Sequence, residues 1–499
     1  VIAIWRRIGL LAAALAAPAV AQETLIVPYT YDIGSFDPAD AFEVLGLSAI
    51  DDVYEGLVEY APGSTEIRGL LATSWEVSED GLTHRFELVD GATFHDGTPR
   101  DAEAVIRSFE RRRDGEMILG YFLPGVTGME APDPGTLVLT LGAAQPSFLD
   151  RLASPWGPKV VSPTALDAHP KAWFAENAVG TGPFRLARFA RGQDYLLERF
   201  EDYHGEAPFF AAVEIPIVPD TGQQILQLRA QEIDAVPTNY PWDQLAALPP
   251  GIVATAQDSM ALVMAFVNPA SPLAEPALHD AVLAAIEPSL WVQDAFGGHA
   301  EPALSIYHAV MLEPSAPLAF PTDMGAARAA VEAAGPVALS IGYGVEETQN
   351  VDRVAELLAA QLAGIGVEAT VEPLPSGAIF SLREDLEGAP DLVLSRLNPD
   401  AAHPELQAAV FYQTGAVLNL MGASLPEADA IAAEAAAMTD PEARDAAYEE
   451  AGHLWFDAGH FVPLADVQDV VVHAEGLTDL GLRPVFPPGN IDFGTVRWE

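Results

Sequence analysis

The chain has 499 residues, no cysteine, and 24 Lys and Arg against 72 Asp and Glu, giving a formal charge of −48. That acidity, with Lys159 and Lys171 as the two lysines, argues against nucleic acid or an anionic lipid surface as a partner. The lack of Cys removes disulfide staples, a Cys nucleophile and the thiol a bacterial lipid anchor would need, while a chain of this length can bury its core without staples.

Taken in order, the chain opens with Arg6 and Arg7 before an apolar run of ten residues, Ile8 to Ala17, and Ala19-Val20-Ala21 supplies a small-x-small cleavage pattern. A spanning helix needs about 20 apolar residues, so residues 1–21 are expected to be a cleaved signal peptide. The mature chain is then exported to the periplasm and is not a lipoprotein. What remains exceeds the roughly 250–300 residues at which single cores stop growing, so at least two domains are expected.

Trp75 to Val77, the Asp80-Gly81 turn and Leu82 to Leu88 predict a hairpin. Leu82, His84, Phe86 and Leu88 share one face, where His84 reads as a core histidine. A second Asp-Gly pair, Asp96-Gly97, leads into a helix with Thr98 as N-cap, Pro99 at the first position and Asp101 in a capping-box-like place. Ala102, Val105, Ile106 and Phe109 form its apolar stripe, and Arg107 and Arg111 to Arg113 are expected in solvent.

Two strand–helix–strand units follow. One runs from Val213–Val218 through a helix over 223–229 to Ile233–Val236. The other starts at Val337–Ile341, carries Val351, Val354, Ala355, Leu358 and Leu362 on one helical face, returns as Val367–Val371, and precedes a buried strand at Leu392–Leu394. Crossovers of this length favour parallel strands. Their separation along the chain implies two α/β lobes, with strand-end loops converging on a pocket between them.

Catalytic patterns are missing from the sequence. It has no Gly-x-Ser-x-Gly elbow and no His-Glu-x-x-His pair, and its eleven histidines are scattered. His95-Asp96 falls in a turn without a third partner. Gly180-Thr181-Gly182 is followed by Pro183, which lacks the N–H a phosphate loop would use. No enzyme activity, cofactor or metal is expected.

Several ordered blocks carry a resemblance. Leu71-Ala72-Thr73-Ser74-Trp75-Glu76, Asp80-Gly81 and Phe94-His95-Asp96-Gly97-Thr98 come first. Gly180-Thr181-Gly182-Pro183-Phe184, Glu198-Arg199, Asp202-Tyr203, Gln227-Leu228 and Glu232-Ile233-Asp234 follow, with Ala230-Gln231 where a glycine is usual. Together they resemble the family 5 extracellular solute-binding proteins, the dipeptide/oligopeptide-binding group of ABC importers. The resemblance implies an α/β, bilobal periplasmic-binding-protein fold of the large type II (cluster C) kind with an extra small domain. It divides the chain into lobe I (22–62, 176–262 and 474–499), an extra domain II (63–175) and lobe III (263–473). It also implies a monomer that takes a small-molecule or short-peptide ligand between its lobes and delivers it to ABC permease subunits in the inner membrane.

For the site, the resemblance places Asp400 where relatives hold a peptide ammonium, within Leu397-Asn398-Pro399-Asp400-Ala401-Ala402-His403-Pro404. Leu397, Ala401 and His403 stand where the family has tryptophan, tyrosine and a second aspartate. Arg396 is a candidate for a ligand carboxylate, or else a partner of Asp391 or Asp400. Tyr343 and Gln349 are expected in a ligand-contacting loop, and Tyr31 and Phe36 in the segment lining the cleft. Asn239, Tyr240 and Trp242 form either a ligand platform or a packing anchor. One alternative keeps the fold but changes the solute to a nickel chelate, with His403 near the cleft, or to glutathione, an opine, haem or an oligosaccharide. Another is an exported hydrolase with a distributed triad.

Overall fold

The strands Ala72–Val77 and Thr83–Leu88 pair antiparallel across Asp80-Gly81, where Gly81 takes φ +69°, a value that suits a residue without Cβ. With Val126–Asp133 and Thr136–Leu141 they form a four-stranded sheet that packs on the helix Ala102–Asp114. His84 is buried on the apolar face, edge-on to Phe148, and burial lowers its pKa. These details come from a computed structural model that describes residues 24–345, 350–375, 377–487 and 489–499. The expected leader, 1–21, and Gln349 lie outside the described residues.

Two expectations for the helix are corrected. Thr98 is not its cap, because the Thr98 N–H is held by the Asp96 carboxylate at 2.9 Å and a Thr93–Pro99 bridge keeps that stretch extended. The helix starts three residues later, capped by Asp101, which accepts from the Ala104 N–H at 2.9 Å. Nor is Arg112 in solvent. It is buried and donates to the carbonyls of Leu119 (2.9 Å), Pro38 (3.2 Å), Gly157 (2.8 Å) and Trp156. Burial pulls its guanidinium down to about 9. Arg111, one residue earlier, pairs with the buried Asp37.

A second four-stranded sheet runs in the order Thr24–Ile26, Ala212–Pro216, Asp194–Arg199, Phe184–Ala190. The largest sheet has seven strands. Its main path is Ala235–Val236, Phe461–Ala474, Ile252–Val267, Leu392–Leu397, Ala338–Gly344, Glu368–Leu374, and Ala300–Pro302 also pairs with Phe461–Ala474. The later crossover is as expected. Ala338–Gly344 and Glu368–Leu374 are parallel around the helix Val351–Ala363, and Leu392–Leu397 adds a further parallel strand. The earlier one is not. Ala212–Pro216 and Ala235–Val236 end in different sheets, and the latter pairs antiparallel with Phe461–Ala474.

The apolar side chains gather in three large cores, typified by Leu25, Val53 and Ile215, by Phe86, Phe109 and Leu139, and by Phe266, Ile341 and Leu394. The strands Ile252–Val267 and Phe461–Ala474 run from one core to another, with Val471 in the first and Val462 in the third. Their register slips between Gln257 and Ala261. There the Ser259 hydroxyl donates to the Val467 carbonyl at 2.6 Å and accepts the Ala261 N–H at 3.1 Å. Among the described residues no helix is long and apolar enough to cross a membrane.

Candidate ligand cleft

The strand Leu392–Leu397 is central, parallel to Ala338–Gly344 on one side and antiparallel to Ile252–Val267 on the other. The loop at its carboxyl end, Asn398-Pro399-Asp400, therefore opens where an α/β sheet changes strand direction, the usual place for a ligand crevice. A cavity of about 660 Å³ lies there, lined from three separate parts of the chain. Phe42 and Val44 come from the loop between Ala41 and Leu45, and Ile118, Tyr121 and Trp156 from segments around a small cluster of Leu47, Leu119, Phe122 and Trp156. Phe380, Ser395, Arg396, Asn398, Asp400 and Phe411 come from the part of the chain that holds the third core.

Asp400 spans the gap. Its Oδ2 accepts the Tyr121 hydroxyl at 2.8 Å, and its backbone carbonyl accepts the Ser154 hydroxyl. Burial raises its pKa above the ordinary carboxylate value, opposed by the Tyr121 bond and the charge of Arg151. The following residues continue the contact. Ala402 N–H donates to the Tyr60 hydroxyl at 3.0 Å, and Glu405 pairs with Arg151 at 2.8 Å and accepts the Ser147 hydroxyl. Arg396 also lines the cavity, and its charge acts on the buried Asp469 behind it.

The other expected site residues, among those described, lie elsewhere. His403 is buried and turned from the cleft. Its Nδ1 accepts the Glu405 N–H at 3.2 Å as the cap of helix Pro404–Gln407, and its ring stands edge-on to Tyr448. Burial, then Arg444 and Arg151, push its pKa down to about 3. Tyr343 belongs to a strand, not a loop, because Ala338–Gly344 runs past it and pairs it with Pro373 and Leu394. Trp242 is buried edge-on to Phe296, and Tyr240 is buried beside it in a separate, almost filled crevice with Asn239, which takes φ +60°. Tyr240 and Trp242 are thus packed away from the cleft, while Asn239 is exposed. Phe36 is fully buried edge-on to Phe189 and Tyr195, and Tyr31 is exposed but outside the cavity lining. Among the described residues, Asp400 and Arg396 are thus the two expected ones brought together at the cleft.

The apolar walls were not foreseen. Ile118 and Tyr121 sit on the short 3-10 segment Ile118–Phe122, and Phe42 and Val44 on loops, where no helical or strand period marks them. The available signal was apolar residues in segments that belong to no amphipathic element, such as Ala41-Phe42-Glu43-Val44.

Three comparisons bear on this arrangement. Residues 66–419 match the family described as bacterial extracellular solute-binding proteins, family 5 middle. A probable D,D-dipeptide-binding periplasmic protein of Escherichia coli (strain K12) is 26% identical over 464 residues, covering 89% of each chain. A glutathione-binding protein of Salmonella paratyphi A is 24% identical over 501 residues, covering 96% of this chain and 95% of its own. The fold is shared with an ABC transporter-associated periplasmic binding protein from Helicobacter pylori in complex with peptide STSA, at a TM-score of 0.77 and 22% identity, over 95% of this chain and 98% of that one.

Proposed function

The chain belongs to the bacterial extracellular solute-binding proteins of family 5, and from that premise we propose that it captures a short peptide or peptide-like solute between its lobes and delivers it to the permease of an ABC importer. One observation carries this reading. The Asp400 carboxylate stands at a strand end inside a cleft lined from three separate parts of the chain, with the Arg396 guanidinium in the same lining. A carboxylate in a partly dehydrated cleft binds an ammonium through charge-assisted hydrogen bonds, and a guanidinium offers a planar fork to a carboxylate. The names of the two relatives, one for dipeptides and one for glutathione, support a solute of this kind.

A solute gripped by walls from separate parts of the chain favours the closed arrangement, because its affinity for that state is the difference that drives closure. In this reading lobe I comprises 22–62, 176–262 and 474–499, the extra domain 63–175 and lobe III 263–473. The protein acts as a monomeric carrier in the periplasm after loss of residues 1–21, and makes no bonds. A nickel chelate is the weaker alternative, since His403, the side chain it would rest on, faces Tyr448 and not the cleft.

A thermal-shift series tests the reading. A free-amine dipeptide at 100 times its dissociation constant stabilises the fold by about 2.7 kcal/mol. The shift is expected to shrink for the N-acetylated peptide and to vanish in Asp400→Ala. Equal shifts for both peptides would reject the ammonium role, and turnover of peptide by the purified protein would reject the carrier role.

A further inference from the structure

One wall of the cleft presents Phe42, Ile118 and Tyr121, and the facing wall Phe380, Phe411 and Val417. All but Phe411 are more than two-fifths exposed. Among the described residues thirteen large apolar side chains are more than a third exposed, and six of them, Val44 included, face this one cavity. The concentration stands out on a chain with 72 acidic residues. Exposed apolar surface gathered in a concavity marks a binding site. The charged lining consists of Asp400 and Arg396, one of each sign.

We infer that the solute is a short zwitterionic peptide with apolar or aromatic side chains, its amine at Asp400 and its body between the Phe42 and Phe380 walls. The inference rests on the peptide reading above and narrows it. A cavity of about 660 Å³ falls within the roughly 300–1,000 Å³ typical of small-ligand sites. An acidic peptide, or glutathione with its two carboxylates, brings an anionic group for which the lining, among the described residues, offers no second cation, so its desolvation is uncompensated. Small side chains leave the walls wet and forgo their burial.

Calorimetric titration of the purified protein with Phe-Leu, Ala-Ala, Glu-Glu and glutathione tests this. Phe-Leu is expected to bind at least about tenfold tighter than Ala-Ala, the scale set by apolar groups in a fitted pocket. Glu-Glu and glutathione should bind more weakly than Phe-Leu. Phe380→Ala and Val417→Ser, both at accessible positions, should each reduce the Phe-Leu to Ala-Ala ratio, with a thermal melt verifying that each variant is folded. If Ala-Ala, Glu-Glu or glutathione binds as tightly as Phe-Leu, the apolar inference fails while the peptide reading survives. Binding of none of the four overturns both. Self-association in place of Phe-Leu binding, read by sedimentation, would assign the apolar walls to a second copy and also overturns the inference.

Discussion

Arg112 does not itself line the cleft, yet it holds the carbonyls of Leu119 and Trp156, which belong to two segments of the cleft wall. A buried guanidinium that satisfies several carbonyls at once leaves all of them unpaired when it is removed, at about 1–3 kcal/mol for each orphaned group. Arg112→Met is therefore expected to lower stability by at least about 3 kcal/mol in a denaturant titration, and to weaken ligand binding by loosening Trp156 and the Ile118–Phe122 turn. A variant with the parent's midpoint and affinity would show that water can replace the side chain. The sequence hid this role because three arginines in a row, Arg111 to Arg113, read as a solvated face. The helical period separates them, and only Arg112 points at the turn that doubles back on it. The position of Asp400 at the cleft is legible from its fixed spacing before Pro404. The direction of the His403 ring is not legible: the same spacing fixes its position, but the helix start at Pro404 turns its ring toward Tyr448.

At the level of elements, the helix Ala102–Asp114 presents both Arg111 and Arg112, so its start position sets the register of those contacts. Asp101→Ala removes the cap and is expected to cost about 1 kcal/mol, the usual scale for losing an N-cap side chain. Thr98→Ala should cost clearly less, since the Thr98 hydroxyl meets the exposed Thr164 hydroxyl at 2.8 Å and caps nothing. Chemical denaturation of the two variants decides between the two cap assignments, and a larger loss from Thr98→Ala would reverse them. The strands and helices themselves were legible from period and turn residues: the hairpin around Asp80-Gly81 and the parallel pair around Val351–Ala363 match their patterns. Partnership between sheets was not. A strand as short as Ala235–Val236 carries no mark of which edge it joins, and its preceding residue, Asp234, is tied to Ile26 by its carboxylate at 2.7 Å while the strand pairs with Phe461–Ala474. Local sequence fixes the hydrogen-bonding form of such a strand, whereas its neighbour is chosen by packing across the whole molecule.

Across the molecule, the segment from Asp400 to Glu405 docks on residues around Tyr60 and Arg151, joining the third core to the second. Asp150 lies beside that seam, with its Oδ1 accepting the Tyr60 hydroxyl at 2.8 Å, and burial pushes its pKa up to about 7. Burial likewise pushes Asp466 up to about 8, near His308. Each folded carboxyl keeps a proton that the unfolded chain releases near the ordinary value of 3.8. The unfolded state then binds fewer protons, so stability falls as pH rises toward the folded values, by up to about 1.4 kcal/mol per pH unit for each retained proton. Histidines act in the opposite direction. Burial lowers His95 and His308 to about 4 and His403 to about 3, so the unfolded imidazoles take protons the folded ones refuse, and stability rises with pH until about 6.5. Above that point the histidine contribution is complete and the carboxyls dominate. The melting temperature is accordingly expected to decline between pH 6.5 and 8. Asp150→Asn, which keeps an acceptor for Tyr60 but cannot ionise, should flatten that decline. An unchanged slope in the variant would mean that Asp150 is already charged at pH 6.5 and that the seam between the two cores is wetter than its geometry implies.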